Sequence, residues 1–102
     1  MADAARVLTA MADPTRRAVL EGLRWGPRSV GDLTSGVPVS QSAVSQHLRV
    51  LREAGLVTER REGNRRVYRV DLDGVTELRA YLDGFWDAAL AAFKDFAEGA
   101  QS

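Results

Sequence analysis

The chain has 102 residues, of which 45% are hydrophobic and 27% charged, and its 14 basic side chains balance its 14 acidic ones. A chain of this length can bury one hydrophobic core without disulfides, so we expect a single domain over residues 1–102. The absence of cysteine excludes disulfides, thiolate metal sites and cysteine nucleophiles, and the single histidine excludes a multi-histidine metal centre unless two chains share ligands.

Three short helices are predicted near the N-terminus. Asp13 followed by Pro14 indicates an N-cap with proline at the first helical position, so one helix begins near Pro14 and should end at the Trp-Gly-Pro segment, residues 25–27. Ser29 is the expected N-cap of a short helix that stops around Gly36. An earlier helix is indicated by apolar side chains at helical spacing: Ala4, Val7, Leu8 and Met11.

A fourth helix is predicted over residues 41–54, joined to the previous one by a short connection. Ser40 is its expected N-cap and Gly55 its left-handed C-terminal stop. Apolar residues recur at steps of four and three, which predicts a buried face: Val44, Leu48 and Leu51. The other side of the helix should then carry polar side chains: Gln41, Ser42, Ser45, Gln46 and Arg49.

The apolar pattern changes from helical to extended after Gly55. Residues 56–60 and 65–70 are rich in β-branched and aromatic side chains, and a turn cluster over residues 61–64 separates them. We therefore predict a β-hairpin over about residues 56–70 with an arginine-rich tip.

The last predicted helix covers about residues 73–98, with Asp73 as its N-cap. Its apolar residues alternate at steps of three and four: Val75, Leu78, Leu82, Phe85, Ala89, Ala92 and Phe96. At about 1.5 Å per residue the helix would be roughly 39 Å long, which is longer than a small domain is wide. Part of its apolar stripe therefore needs another partner, and Gly84 marks a place where the helix could kink.

Charge is distributed unevenly along the chain. Residues 49–70 carry seven arginines against three glutamates, a net charge of +4, whereas residues 71–102 carry two basic against seven acidic side chains, a net charge of −5. Such asymmetry indicates an electrostatic surface on one side of the molecule.

The order of elements is that of a helix-turn-helix followed by a wing: mainly α with a small β-hairpin, in the order α-α-α-α-β-β-α. An α-helix fits the major groove of double-stranded DNA, and glutamine can form paired hydrogen bonds with adenine. The polar side of the fourth helix should therefore meet base edges. Arginines at its end and on the hairpin should neutralise phosphates: Arg52, Arg60, Arg61, Arg65 and Arg66.

Three segments, ADPTRRAVLEGL, SQSAVSQHLRVLREAGLV and RREGNRRVYRVD, strongly resemble the ArsR/SmtB family of bacterial winged-helix repressors. The resemblance covers about residues 4–97. It implies a homodimer joined through its terminal helices, a fourth helix that reads an inverted-repeat operator, and a wing that holds the DNA backbone. By position, the implied DNA-binding residues are Gln41, Ser42, Ser45, Gln46, Arg49, Arg61 and Arg65. The expected dimer-interface residues are Leu8, Leu78, Leu82, Phe85, Ala89 and Phe93.

The chain departs from the metal-sensing members of that family. Many of those bind metal through cysteines on the helix before the turn, or through Asp, Glu and His ligands on the last helix. This chain has neither a cysteine nor a histidine in those places. It therefore looks more like the metal-independent, SdpR-like branch, and we expect no cofactor. The resemblance does not identify the effector.

Two other functions stay open. The aromatic last helix could dock on a different protein, which would make the chain a protein-interaction module. A metal-responsive repressor could instead use carboxylates and His47 shared between chains, although His47 is more simply a packed structural residue. An enzyme is not expected, because no set of nucleophile, base and orienting group is present. Without a secretory segment or a long apolar run, we expect the bacterial cytoplasm, the nucleoid when DNA is bound, and no membrane partner.

Overall fold

The fold is that of a computed structural model over residues 4–100; the two ends of the predicted domain, residues 1–3 and 101–102, lie outside the described residues. The elements follow in the order α1 (Ala4–Ala10), α2 (Pro14–Glu21), β1 (Arg28–Ser29), α3 (Val30–Thr34), α4 (Gln41–Glu53), β2 (Val57–Glu62), β3 (Arg65–Val70) and α5 (Leu72–Ala100). Apart from β1, this is the predicted winged helix-turn-helix order.

The strand β1 was missed by the sequence patterns. The sheet is antiparallel in the order β1-β3-β2, and the two residues of β1 pair with Tyr68 and Val67 of β3. A two-residue strand is too short to show alternation of apolar and polar side chains. The prediction of a two-stranded hairpin was therefore incomplete, because a third strand ties the chain before α3 to the hairpin.

The hairpin formed by β2, β3 and the turn between them, residues 57–70, is called the wing below. Its strands pair along their whole length, which leaves only Gly63 and Asn64 for the turn. Gly63 has a φ of +62°, which glycine adopts without steric cost. Arg61 and Glu62, which were predicted in the turn, belong to β2 instead.

Polar side chains cap three helices as predicted. Asp13, Ser29 and Ser40 each accept a backbone N–H from the first turn of α2, α3 and α4, at 3.0, 3.2 and 3.1 Å. Each cap satisfies an N–H group that the helix leaves unpaired and contributes about 1 kcal/mol. The predicted end of α2 was wrong: the helix stops at Glu21, with Gly22 as its C-cap, several residues before the Trp-Gly-Pro segment.

α5 begins at Leu72, one residue earlier than predicted. The Asp71 carboxylate accepts the N–H of Asp73 at 3.0 Å, so Asp71 and not Asp73 caps the helix. The backbone N–H of Asp71 also donates to the carbonyl of Leu56 at 2.8 Å, which fixes Asp71 at the end of the sheet. The helix then continues through Gly84 without interruption.

α4 lies at the centre of the core. Its predicted inner face is completely buried: Val44, Leu48 and Leu51. α2 and α3 pack against it, and buried apolar side chains from the rest of the described chain complete one cluster: Val7, Val19, Leu23, Leu33, Leu56, Val57 and Tyr68. Because the buried side of α4 is fixed in this way, its other side must face outward. The extent of the domain over residues 1–102 stays a prediction.

The chain turns sharply at the end of α4. Gly55 has a φ of +82°, and the N–H groups of Gly55 and Leu56 donate to the carbonyls of Arg52 and Leu51 at 3.0 and 2.9 Å. This pair of bonds is the Schellman motif, and it confirms the predicted helix stop. The first turn of α5 lies directly on this turn, because a side chain at Gly74 would overlap the carbonyl oxygen of Gly55.

α5 extends beyond the core and gives the molecule its extents of 68 × 26 × 21 Å. Every residue from 79 to 96 is exposed in the single chain. Large apolar side chains are among them: Tyr81, Leu82, Phe85, Trp86, Leu90, Phe93 and Phe96. The structure therefore leaves apolar surface of α5 uncovered, as we expected from the length of this helix.

Candidate nucleic-acid interface

The exposed side of α4 presents the polar residues that the sequence assigned to it. Gln41, Ser42, Ser45, Gln46 and Arg49 are all exposed. The amide and hydroxyl groups of the first four form no side-chain hydrogen bond with any other residue between 4 and 100. Their donors and acceptors are therefore available to a ligand, at the N-terminal end of a helix that fits a major groove.

Arg49 is the one member of this set with a partner. Its Nε donates to the Glu53 carboxylate at 3.3 Å, one helical turn away, and the two side chains are 72% and 62% exposed. An ion pair so open to water contributes little to stability. Arg49 can therefore leave Glu53 for a base edge or a phosphate at small cost.

Arg60 and Arg61 lie in β2 and are the wing arginines without a partner in the described part of the chain. Arg61 stands directly across from Arg66 on β3. Like charges in facing positions repel each other, and a bound anion relieves that repulsion. The position of Arg61 is therefore favourable for a phosphate contact.

Arg65 is positioned differently from Arg61. Its Nη2 donates to Ser29 Oγ at 2.8 Å and to Asp32 Oδ2 at 3.1 Å, which joins β3 to the first turn of α3. Hydrogen bonding by Ser29, with a smaller contribution from the charge of Arg65, lowers the pKa of Asp32 below its ordinary value. The expected phosphate contact of Arg65 stays a prediction, but its guanidinium already has a carboxylate partner.

Glu59 contacts three side chains that no sequence pattern had related to it. One of its oxygens accepts from Arg52 Nη1 at 2.8 Å and from the Tyr68 hydroxyl at 2.9 Å, while Arg66 lies 3.9 Å from the other. Burial, followed by hydrogen bonding to Glu59, raises the pKa of Tyr68. The cluster ties the end of α4 to the wing and engages Arg52 and Arg66, which the sequence grouped with the phosphate-neutralising arginines.

The roles of Asp32 and Glu59 were missed by the sequence reasoning. Arg65 and Asp32 are 33 positions apart, and Arg52 and Glu59 are seven apart across a turn. Helical or strand periodicity relates residues within one element only, so it gives no signal for such pairs. The only available sign was the presence of an acidic residue within an arginine-rich segment. Glu59 lies in such a segment, whereas Asp32 does not.

Arg16 and Arg17, near the start of α2, hold the end of α1. Arg16 donates to the carbonyl of Ala10, and Arg17 Nη1 donates to the carbonyl of Met11 at 2.8 Å. These carbonyls lie at and just beyond the end of α1, where carbonyl groups lack helical partners. The backbone N–H of Arg16 is the main cause that lowers the pKa of Asp13. Both arginines therefore have a structural role in the described chain.

The predicted dimer-interface residues lie on two helices. Five of them are exposed in the single chain: Leu8, Leu82, Phe85, Ala89 and Phe93. Leu78 differs because it is half-buried and packs against the chain's own core. Phe85 also contacts Trp86 edge-to-face, with ring centroids 5.8 Å apart. α1, the helix that carries Leu8, packs against α5.

Two further features concern metals and membranes. His47 is half-buried on α4, and within residues 4–100 of one chain no group of three or more His, Asp or Glu side chains is arranged to hold a metal ion. In the same part of the chain, no helix combines the length and the apolar character needed to cross a membrane.

Comparison with known proteins gives clear relatives. Residues 13–59 match the family model described as bacterial regulatory protein, arsR family. The chain is 51% identical over 88 residues to the HTH-type transcriptional regulator Rv2034 of Mycobacterium tuberculosis (strain ATCC 25618 / H37Rv), covering 86% of this chain and 82% of the relative. It is 35% identical over 57 residues to the transcriptional repressor SdpR of Bacillus subtilis (strain 168), covering 56% of this chain and 63% of SdpR.

Solved structures agree with the fold. A crystal structure described as a possible transcriptional regulator for arsenical resistance has a TM-score of 0.74 and 46% identity, covering 85% of this chain and 95% of that one. A homodimeric winged helix-turn-helix DNA-binding domain from Mycobacterium bovis has a TM-score of 0.67 and 34% identity, covering 84% and 80%. The chain therefore belongs to the arsR family of bacterial regulatory proteins: it is a winged helix-turn-helix transcriptional regulator and not an enzyme.

Proposed function

We propose that the protein is a homodimeric repressor that binds an inverted-repeat operator. The observation that carries this proposal is the open polar side of α4, where four amide and hydroxyl side chains have no partner between residues 4 and 100: Gln41, Ser42, Ser45 and Gln46. Serine is a mediocre helix former, so two serines on an exposed helix face need a reason other than helix stability. Contact with DNA bases supplies that reason.

Base contacts and backbone contacts would fall to different elements. Arg49 and the four open side chains of α4 would meet base edges in the major groove, with glutamine suited to adenine. Arg61 would contact phosphates from the wing. The same contact was expected from sequence for Arg65, whose guanidinium is paired with Asp32 in the free chain. Phosphate contacts raise affinity for any duplex, so selectivity would depend on α4.

A second copy of the chain is the proposed partner of the exposed α5 stripe. The stripe contains five large exposed apolar side chains between residues 82 and 93 alone, and Leu8 of α1 adds a further one that is 41% exposed. Burial of such a surface is the main driving force for association. The homodimeric relative from Mycobacterium bovis supports this choice. Two α4 helices related by a twofold axis would then enter half-sites about 34 Å apart.

Repression without thiolate-bound metal is the proposed mode of regulation. The name of SdpR supports repression, and the absence of cysteine rules out the thiolate route. The protein would act on the nucleoid in the bacterial cytoplasm and leave DNA in response to an effector of another kind.

Selection of duplexes from a randomised pool, followed by footprinting upstream of the protein's own gene, tests the proposal. We expect protection of an inverted repeat, with binding to the selected duplex at least about a thousandfold tighter than to a scrambled duplex of the same length. A duplex with one intact half-site serves as the control and should bind more weakly. Equal affinity for selected and scrambled DNA at moderate salt would end the proposal.

A further inference from the structure

Arg65 connects the wing to the helix-turn-helix in a way that Arg60 and Arg61 do not. One of its nitrogens reaches both Ser29 Oγ and Asp32 Oδ2, at 2.8 and 3.1 Å. Ser29 is only 8% exposed, and its Oγ also accepts the N–H that caps α3. The ion pair with Asp32 is itself open to water, with the two side chains 63% and 52% exposed, but Arg65 is also anchored on the nearly buried hydroxyl of the residue that caps α3.

Few other contacts restrain the outer half of the wing. Residues 60–66 are all exposed, and β1 pairs with β3 only at Val67 and Tyr68. The Glu59 cluster holds the inner half of the wing against α4 through Arg52. Among the described residues of the outer half, Arg65 is the one with side-chain hydrogen bonds to the segment where α3 begins.

Charge argues against a strong direct contact between Arg65 and DNA. Paired with Asp32, Arg65 contributes a nearly neutral group, and the release of counterions from DNA depends on unpaired positive charge. If Arg65 left for a phosphate, it would leave the Asp32 carboxylate unpaired near the DNA backbone. Arg61 has no such partner within the described residues and faces Arg66.

We propose that Arg65, together with Asp32 and Ser29, is a positioning residue that sets the wing against α3, and that Arg61 makes the phosphate contact. The inference rests on the proposed binding of an operator. It assigns to Asp32, an acidic residue near the DNA-facing surface, a role that supports DNA binding.

A double-mutant cycle tests this with a duplex selected by the wild-type protein. Arg65→Ala and Asp32→Ala should each weaken binding by about threefold to tenfold, and the double variant should bind no more weakly than either single one. Arg65→Ala should leave the dependence of affinity on salt unchanged, because a guanidinium paired with a carboxylate releases few counterions. The matched control, Arg61→Ala, should lower the salt slope by about one and add to the effect of Asp32→Ala.

The opposite results would overturn the inference. If Arg65→Ala costs the same in the Asp32→Ala background, or if Asp32→Ala tightens binding, Arg65 acts on DNA directly. Variants that bind like the wild type would show that the contact has no role. Because Asp32→Ala also changes the first turn of α3, the exchanged pair Asp32→Arg with Arg65→Asp is measured as well, and it should recover binding relative to Arg65→Asp alone.

Hydrogen exchange of the free protein separates this inference from the proposed function. Arg65→Ala and Asp32→Ala should both speed amide exchange over residues 60–67, whereas Arg61→Ala should not. Faster exchange in a protein that fails to discriminate DNA would refute the operator proposal and leave the positioning role intact. Unchanged exchange in both variants would refute the positioning role even if specific DNA binding is found.

Discussion

At the scale of single residues, Gly74 lies where the backbone leaves no room for a side chain. A Cβ there would overlap the carbonyl oxygen of Gly55 and lie 3.2 Å from Leu56 Cα, so backbone would have to move. We expect Gly74→Ala to lower the free energy of unfolding by about 1–3 kcal/mol, as overpacking does. Urea unfolding monitored by circular dichroism measures the change.

Gly84 provides the matched control for that substitution. It lies in the same helix, is exposed, and has open space where a Cβ would go. Gly84→Ala should therefore stabilise the protein by about 0.5–1 kcal/mol, since alanine favours helix more than glycine does. Equal effects of the two substitutions would show that the contact between Gly74 and Gly55 is not restrictive.

The proposed division between base and phosphate contacts is also decided by single side chains. Gln46→Ala should reduce discrimination between the selected and the scrambled duplex by about 1–3 kcal/mol, because it removes a paired hydrogen bond to a base. Arg61→Ala should weaken binding to both duplexes alike and reduce the salt slope by about one. Fluorescence anisotropy at several salt concentrations distinguishes them, and identical behaviour would refute the division.

At the scale of elements, the attachment of the wing to α4 depends on Tyr68 and Glu59. The pKa of Tyr68 is raised, so the folded protein holds that proton more tightly than the unfolded chain does. The stability due to the protonated hydroxyl is therefore complete below about pH 10 and is lost as the pH rises above that value through the folded pKa.

Tyr68→Phe removes this titration. At pH 8 we expect the variant to be less stable by about 1 kcal/mol, from the lost hydrogen bond to Glu59. Above pH 10 the wild type should lose stability faster, so that the difference shrinks. Urea unfolding between pH 8 and 11 tests this. A constant difference would contradict the proposed cause.

At the scale of the whole molecule, the zero net charge hides two opposite regions. The +4 segment forms the end of α4 and the wing, whereas the −5 segment is mostly α5, which extends away from the core. In a dimer joined through α5, the acidic helices would lie away from the duplex. The near-neutral total would limit affinity for unspecific DNA and leave a salt-sensitive, base-dependent interaction.

The dimer proposal is tested on the apolar stripe of α5. Phe85→Glu or Phe93→Glu places a charge among side chains that are 58% and 69% exposed in the single chain, so the fold of one chain should tolerate it. We expect sedimentation at micromolar concentration to show a monomer, and binding to the full inverted repeat to fall to that of one half-site. Asp87→Asn, on the polar side of the same helix, should remain dimeric. A dimeric Phe85→Glu protein would place the interface elsewhere.

Sequence by itself determined the order of helices, three of the N-caps, the stop at Gly55, the buried face of α4 and the unpartnered stripe of α5. Each of these depends on residues within a few positions of each other, where helical periodicity and capping chemistry act. The patterns placed the cap of α5 at Asp73 instead of Asp71, and they missed β1. No local pattern identifies either feature, because two aspartates flank Leu72 and β1 is only two residues long. Tertiary structure alone decided which arginines are free, because Arg65 meets Asp32 and Arg52 meets Glu59 only once the wing has folded against α3 and α4.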